Sequence, residues 1–361
     1  MDSPQNISME EAFALAEAEA KLNAALLESK ERFSKATMPD RLNEDWRFGR
    51  PHVYARELAA RITAAGQPRQ AAPLEQDDDL RQTEMLMPTI GSDALLALHL
   101  EHFGTGEAHY IEENTTTPLH VSYTAATALT PSTFIMVAPG IRAEVDITYT
   151  CADSSCIFAT CNIQVAEGAE LRVRVHAEGH GTDARCMLIT NIQNMGGKVA
   201  HLTSYKSLRW AREETVAETY TPDSETKLFS ANHLIGEAVL DQHTKQIHHS
   251  GGATSDLLYK NVLADNATAT FAGNIYVAPG AHHTDAYQSN RNLMLSEDAT
   301  VNSLPGLEIL ADKVRCSHGS ASGPMDEEQL FYLLSRGIPH YEAHQLIASG
   351  FLDEAIEKFN N

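Results

Sequence analysis

The sequence lacks several features that would assign it to a common functional class. It contains no uninterrupted apolar run of about 18 residues, so no membrane-spanning helix is expected. The start of the sequence has neither the basic residues nor the apolar stretch of a secretory signal, and this predicts a cytoplasmic location. The glycine patterns GxGxxG and GxxxxGK and the GxSxG elbow are missing as well. The sequence therefore predicts no nucleotide site of its own and no serine hydrolase.

Positive charge and cysteine are both scarce. Asp and Glu number 49 against 27 Lys and Arg, for a net charge of −22. Phosphate binding requires a basic face, so nucleic-acid binding is not expected, whereas a basic partner protein is compatible with this charge. Five cysteines in 361 residues do not indicate a disulfide framework in a cytosolic protein.

Three of the cysteines, Cys151, Cys156 and Cys161, are separated by four residues each. These gaps are marginal for structural zinc, and the short second gap of a plant-type cluster loop is missing. We therefore predict that these cysteines are buried in a strand core.

The residue composition divides the chain into three parts. Residues 1–80 are predicted to hold helices at 8–35 and 53–65 and then a linker, because Ala, Glu, Leu and Lys dominate the helical stretches. Residues 81–323 are rich in Val, Ile, Thr, Tyr and Phe, which alternate with turn residues, and they predict a β core. Residues 324–361 return to helical patterns, with one helix closed by Gly337, a second that ends at Gly350 and a last short helix over 352–359.

Segments of the β-rich part share one shape, in which extended apolar residues lead to a tight turn and then to an alanine. Ala267, Ala281 and Ala299 end three such segments at intervals of 14 and 18 residues. A recurring interval of this kind predicts the coils of a parallel β-helix, a solenoid in which each coil stacks on its neighbour. An ordinary β-sandwich with similar turns is the alternative on pattern alone.

Cys316 and His318 form the candidate site. They follow the segment that starts at Pro305, which has strand character. Residues two apart in a strand point to the same face, so the thiol and the imidazole can meet one partner, metal or cluster. This pair of ligands suits iron or sulfide chemistry.

Two pairs of adjacent histidines are weaker metal candidates. His248 and His249, and likewise His282 and His283, point to opposite faces if they lie on strands, so neither pair chelates one ion readily. His283 and Asp285 could do so, but no third ligand stands at a diagnostic spacing.

The chain from about Lys245 onward resembles the SufB/SufD family of scaffold proteins of iron–sulfur cluster assembly. The Cys-Ser-His-Gly form at Cys316 is similar to the SufD branch. The resemblance lies in an ordered series of segments: 249–255, 259–260, 271–277, 284–288, 292–296, 305–309, 311–312, 316–319 and 331–337.

The resemblance implies a right-handed parallel β-helix that is a subunit of a scaffold and not an enzyme. In that family a SufB-like β-helix lies beside the SufD-like one, and a transient iron–sulfur cluster or iron is handled at their interface. The histidine carried over is His318, and Cys316 accompanies it in the motif. The family also implies docking of a SufC-like ABC-type ATPase by the C-terminal helices.

The C-terminal helices carry more large side chains than short helices need for themselves, namely Phe331, Tyr332, Leu333 and Phe351. This excess suits docking of a partner, and the alternative is that the helices cap the open end of the solenoid. Two other functions stay open from the residues: a β-helical enzyme that acts on carbohydrate, and a homodimeric scaffold of the same family. The lack of a carboxylate cluster counts against the enzyme.

Overall fold

The computed structural model describes residues 24–25, 27–40, 42–46, 51–65, 86–102 and 105–361. Residues 27–35 are helical, and Glu44–Trp46 form a short 3-10 helix. The helices that we number are α1 (Pro51–Ala65), α2 (Asp93–Glu101), α3 (Glu327–Ser335) and α4 (His340–Asn360). The described strands are β1 (Thr105–Ile111), β2 (Leu119–Ala125), β3 (Ala128–Leu129), β4 (Pro131–Val137), β5 (Arg142–Cys151), β6 (Cys156–Val165), β7 (Glu170–Gly179), β8 (Arg185–Asn194), β9 (Lys198–Lys206), β10 (Trp210–Thr219), β11 (Glu225–Leu234), β12 (Val239–His248), β13 (Thr254–Leu263), β14 (Thr268–Val277), β15 (Asp285–Met294), β16 (Thr300–Ile309) and β17 (Arg315–Pro324).

Strands from β4 onward alternate between two sheets, and neighbours within each sheet are parallel. The first sheet has the order β1-β4-β6-β8-β10-β12-β14-β16, with β3 beside β6, and the second has the order β17-β15-β13-β11-β9-β7-β5-β2. The chain thus winds as a flattened solenoid of about 8 turns. The predicted parallel β-helix is confirmed, and the β-sandwich alternative is wrong.

One full coil takes about 28 to 32 residues. Residues paired in successive coils show this length: Glu170 pairs with Lys198, 28 positions later, and Thr268 pairs with Thr300, 32 positions later. The alanines that revealed the repeat are buried at the corners, and the intervals of 14 and 18 residues between them each measure half a coil. At one corner Gly280 has a φ of +85°, which is the conformation that the third position of a type II turn requires.

The space between the sheets changes from apolar to polar along the solenoid. In the later coils an amide ladder connects successive turns. Asn232 Nδ2 donates to Asn261 Oδ1 at 2.8 Å, Asn261 Nδ2 donates to Asn292 Oδ1 at 3.0 Å, and Asn292 Nδ2 donates to Ser322 Oγ at 3.1 Å. Buried amides must be paired, so each coil fixes the register of the next.

Glu213 is a buried carboxylate in this polar interior. It accepts hydrogen bonds from the Tyr259 hydroxyl at 2.6 Å and from Gln242 Nε2 at 2.8 Å. Thr215 and Thr203 donate two more, at 3.0 and 3.1 Å. No cation of a described residue forms an ion pair with it, and burial raises the pKa of Glu213 above its usual value.

This raised pKa predicts a pH-dependent stability. The folded protein binds the Glu213 proton more tightly than the unfolded chain does, so the free energy of unfolding should fall as pH rises from the ordinary glutamate range through the raised pKa. Each unit of the shift corresponds to about 1.4 kcal/mol. Glu213→Gln should flatten this dependence in urea unfolding at a series of pH values. Glu167→Gln, at an exposed corner, should keep the slope of the wild type, and an unchanged slope in Glu213→Gln would contradict the assignment.

The N-terminal part packs on the outer face of the first sheet. Trp46 of this part is fully buried. Its Nε1 donates to the Gly91 carbonyl at 2.9 Å, and the Arg212 guanidinium lies 3.7 Å from its ring centroid. We call residues 45–46 and 86–92 the strap, because they cross the outer face here.

Arg212 holds the strap to the first sheet. Its guanidinium pairs with Glu214 Oε1 at 2.6 Å and with Asp241 Oδ2 at 2.5 Å, and it donates to the backbone carbonyls of Asp45 and Ile90. Glu214 in turn accepts a hydrogen bond from the Ile90 backbone N–H at 2.7 Å. We call Arg212, Glu214 and Asp241 the Arg212 cluster.

The predicted N-terminal helices are confirmed where the structure describes them. Residues 27–35 are helical, and α1 matches the stretch predicted at 53–65. The earlier part of the first predicted helix and the linker predicted at 66–79 lie outside the described residues. The helix α2 lies inside the range 81–323 that the sequence assigned to the β core, and the first described strand begins at Thr105.

The C-terminal helices differ from the prediction at one point. Asp326 caps α3 by accepting from the Glu328 backbone N–H at 2.9 Å, and Gly337, with a φ of +83°, closes it as predicted. Gly350 was predicted to end the next helix, but α4 continues through it to Asn360. An interior glycine costs a helix about 1 kcal/mol, and the packing of α4 on the solenoid offsets this cost.

The helix α4 lies along the outer face of the second sheet and not over the end of the solenoid. It contacts β9, β11 and β13, where the rings of Phe359 and Phe229 meet edge to face at 6.2 Å. Lys260 Nζ pairs with Glu354 Oε2 at 2.5 Å. The end at β16 and β17 is therefore not capped by α4. Within the described chain, no helix combines the length and the apolar character that crossing a membrane requires.

Candidate functional site

Cys316 and His318 lie on β17, the last strand of the second sheet. Their partners on β15 are Ala286 and Gln288, and both of these are fully buried between the sheets. Cys316 is half-buried and packs beside Ala286, whereas His318 is exposed. The difference arises because β17 belongs to the final coil, where no further coil covers the interior.

The long segment predicted from Pro305 to Gly323 is two strands and not one. It comprises the second half of β16, a corner at which Lys313 has a φ of +57°, and then β17. The corner sends the chain from the first sheet to the second, so that Pro305 and Cys316 lie in different sheets.

The Cys316 thiol stays protonated at neutral pH. Burial raises the pKa of Cys316, the charge of Asp285 adds to the increase, and a hydrogen bond from the Ala286 backbone acts in the opposite direction. A metal that binds this sulfur must displace the proton, because the thiolate is the ligand.

Both sheets end, at the same end of the solenoid, in a strand that has one free edge. Among the described strands, β16 pairs only with β14, and β17 pairs only with β15. Three apolar side chains near this end are well exposed: Leu307 and Ile309 at 37% and Leu310 at 50%. We call β16, β17 and Leu310 the open end.

The three evenly spaced cysteines are confirmed as core residues. Cys151, Cys156 and Cys161 are all buried. A turn separates Cys151, the last residue of β5, from Cys156, the first of β6. Burial raises the pKa of Cys156 and of Cys161 to about 12, so these thiols are protonated and unreactive.

The histidine pairs have separate surroundings. His248 is buried and contacts the hydroxyls of Thr219 and Ser255, while His249 lies 2.8 Å from Glu218 and stacks on a tyrosine. His282 Nδ1 accepts from the Asp312 backbone N–H at 3.2 Å. Among the described residues, no group of three or more His, Cys, Asp or Glu side chains is arranged to hold a metal ion.

The residues predicted to bind a partner fall into two groups. Phe331 and Tyr332 on α3 are 72% and 56% exposed, and Leu333 beside them is half-buried. Phe351 is partly buried against the solenoid, and the Lys260 ammonium lies 4.1 Å from its ring centroid. Only the first group presents a free apolar surface.

Sequence reasoning missed several residues of these surfaces. Tyr341 and Leu346 on α4, the helix that follows α3, are exposed by 74% and 54%. Leu307 and Ile309 become exposed only because β16 is the last strand of its sheet. A helical pattern could have indicated the first pair, but the second depends on where the solenoid ends.

The comparisons with known proteins agree with this geometry. The family model described as SUF system FeS cluster assembly, SufBD core domain, matches residues 120–351. The chain belongs to the SufB/SufD family. The resemblance predicted from the sequence is thereby confirmed.

Three curated relatives give the extent of the similarity. The chain is 42% identical over 141 residues to protein ABCI7, chloroplastic, of Arabidopsis thaliana, which covers 39% of this chain and 30% of the relative. It is 38% identical over 146 residues to the iron-sulfur cluster assembly protein SufD of Escherichia coli, covering 40% and 34%. For the SufD protein of Bacillus subtilis the values are 39% over 119 residues, covering 33% and 27%. The matches thus span about a third of the length of these relatives.

Proposed function

We propose that this chain is a SufD-like, non-catalytic scaffold subunit that handles iron or a nascent iron–sulfur cluster in the cytoplasm. The observation that carries the proposal is the open end. There His318 is exposed to solvent, and Cys316 lies two residues away on the same edge strand, β17. An imidazole and a thiol suit iron, and the cluster is the cargo of such a site. Family membership supports this reading.

The open end is the interface we assign to a SufB-like subunit. Two ten-residue strands with free backbone N–H and C=O groups form a template for pairing, and proteins normally cover such edges. The exposed Leu307 and Ile309 add apolar area there. A second β-solenoid that meets this end would cover both edges and enclose His318 together with the ligands of the partner. A second copy of this chain is the homodimeric alternative.

The apolar surface on α3 and the start of α4 is the docking site we assign to a SufC-like ABC-type ATPase. Phe331, Tyr332 and Tyr341 are each more than half exposed, which is unusual for aromatic residues of a monomer. Because the sequence holds no nucleotide loop, any energy from ATP must come from such a partner. Phe351 supports α4 against the solenoid and is not assigned to this docking site.

The test is affinity purification of the tagged chain from its native cells, with mass spectrometry and an ATPase assay of the eluate. The wild type should recover a SufB-like chain and a small ABC-type ATPase. The double variant Leu307→Lys, Ile309→Lys should lose the SufB-like chain and keep the ATPase, whereas Phe331→Ala should do the reverse.

Ile235→Lys, a change at an exposed isoleucine on a corner, is the matched control and should keep both partners. A wild-type chain that is recovered alone and free of iron would contradict the proposal. Recovery of only a second, untagged copy would replace the SufB-like partner with the homodimer.

A further inference from the structure

A cavity of about 500 Å³ lies on the outer face of the first sheet. Its floor is formed by β12, β14 and β16, and the strap forms one wall. His318 and Cys316 are on the other sheet, so the cavity is separate from the candidate cluster site. Its volume falls in the range of small-molecule sites, about 300–1,000 Å³.

The cavity exists because two residues of its floor have little or no side chain. Ala272 and Gly306 lie on adjacent strands of the floor, and a Cβ on Gly306 would meet Asn274 Oδ1 at 3.3 Å. Larger side chains at these two positions would fill the space.

His243 contributes an unsatisfied acceptor to the lining. It is 3% exposed, and its Nε2 lies 2.8 Å from Asp241 Oδ1. Asp241 Oδ2 also pairs with the Arg212 guanidinium at 2.5 Å, so the carboxylate is ionised and accepts the proton of His243 Nε2. With the ring proton on Nε2, Nδ1 is the acceptor of the imidazole. The Nδ1 lone pair is buried, without a hydrogen-bond partner among the described residues. An orphaned buried acceptor of this kind requires a donor.

The charged residues of the lining have opposite signs. Lys245 is two residues along β12 from His243, and its ammonium forms no ion pair with any described residue. Its ammonium lies 5.8 Å from the centroid of the Tyr276 ring. Asp45 of the strap also lines the cavity, and its backbone accepts a hydrogen bond from Arg212, which is paired with Asp241 in the sheet. Lys245 is four residues further along β12 than Asp241, where Asn274 of β14 is its partner and adds an amide. One part of the cavity thus favours a donor or cation, and the other favours an anion.

We infer that this cavity binds a small zwitterion of the amino acid class. Its ammonium group donates to His243 Nδ1 and faces Asp45, and its carboxylate lies at Lys245 and Asn274. Neither a simple carboxylate nor a simple amine satisfies both ends of the site. The inference does not depend on the proposed function, because it concerns the isolated chain and the other sheet.

The test is ligand-observed saturation-transfer NMR on the purified full chain with three probes of similar size: L-alanine, propionate and ethylamine. L-alanine should bind about tenfold or more tightly than either single-charge probe, since each charge-assisted hydrogen bond contributes at least about 1.4 kcal/mol. Lys245→Met should reduce L-alanine binding to the level of ethylamine.

Ala272→Leu should abolish the L-alanine signal by filling the floor of the cavity. Thr300→Leu, which places the same leucine side chain at an exposed position of β16, should leave the signal unchanged, and circular dichroism should show that both variants fold. Two results would overturn the inference: equal binding of all three probes by the wild type, or an L-alanine signal that survives in Ala272→Leu.

Discussion

Replacing Arg212 with alanine should lower the free energy of unfolding of the strap and the coils beneath it by about 3–5 kcal/mol, the cost of breaking a buried ion pair from one side. Arg212 is 0% exposed and pairs with Glu214 and Asp241, which are 0% and 2% exposed. Its removal leaves Glu214 buried without a cation and cuts two hydrogen bonds to strap carbonyls. It also leaves Trp46 without the guanidinium that lies over its ring.

Tryptophan fluorescence reports this loss directly. The chain has two tryptophans, and both Trp46 and Trp210 lie in the core that joins the strap and α1 to the first sheet. In Arg212→Ala the fluorescence transition in urea should move to lower concentration and separate from the transition followed by circular dichroism, which reports the whole solenoid.

The matched control is Arg142→Ala. Arg142 also pairs with a carboxylate, Glu170 at 3.0 Å, but its side chain is 74% exposed. Pairs of this kind contribute at most about 1 kcal/mol, so both transitions should stay close to those of the wild type. If Arg212→Ala behaved like this control, the Arg212 cluster would not be what holds the strap.

The solenoid could be predicted from the sequence because the same packing requirement recurs in every coil. Small buried residues recur at the corners where the chain turns between the sheets, and at Ala267, Ala281 and Ala299 the residue is alanine, which produced the interval. The pattern did not reveal that two corners make one coil, since both corners use the same residues. The end of α4 was misjudged at Gly350 for a different reason: the penalty of a glycine is local, whereas the packing that outweighs it comes from β9, β11 and β13.

The candidate site could be predicted only in part, because some of its properties are local in sequence and others are not. The two-residue spacing of Cys316 and His318 is a local property of a strand, and the resemblance to the family singled out the pair. Exposure is not local, however. Gln288 occupies the equivalent position one coil earlier and is fully buried, while His318 is exposed. The Arg212 cluster and the cavity beside it join the strap to strands that lie up to about 260 positions further along the chain, and no sequence period connects them.

Replacing His318 with alanine should abolish iron–sulfur cluster maturation while leaving the protein folded. The imidazole is exposed, and surface substitutions usually change the free energy of unfolding by less than about 0.5 kcal/mol. The activity of iron–sulfur enzymes in cells that depend on this chain should fall to the level of cells without it. The purified variant should keep the unfolding midpoint of the wild type and still recover both partners.

The control for this change is His120→Ala. His120 is on β2, at the far end of the same sheet, and its side chain is 73% exposed. It shares the fold and the solvent exposure of His318 but not the open end, so this variant should mature clusters normally. If His318→Ala lost the SufB-like chain in purification, the residue would act through the interface. If it kept the partner and matured clusters like the wild type, the ligand assignment at β17 would be wrong, and Cys316 would have to act without it.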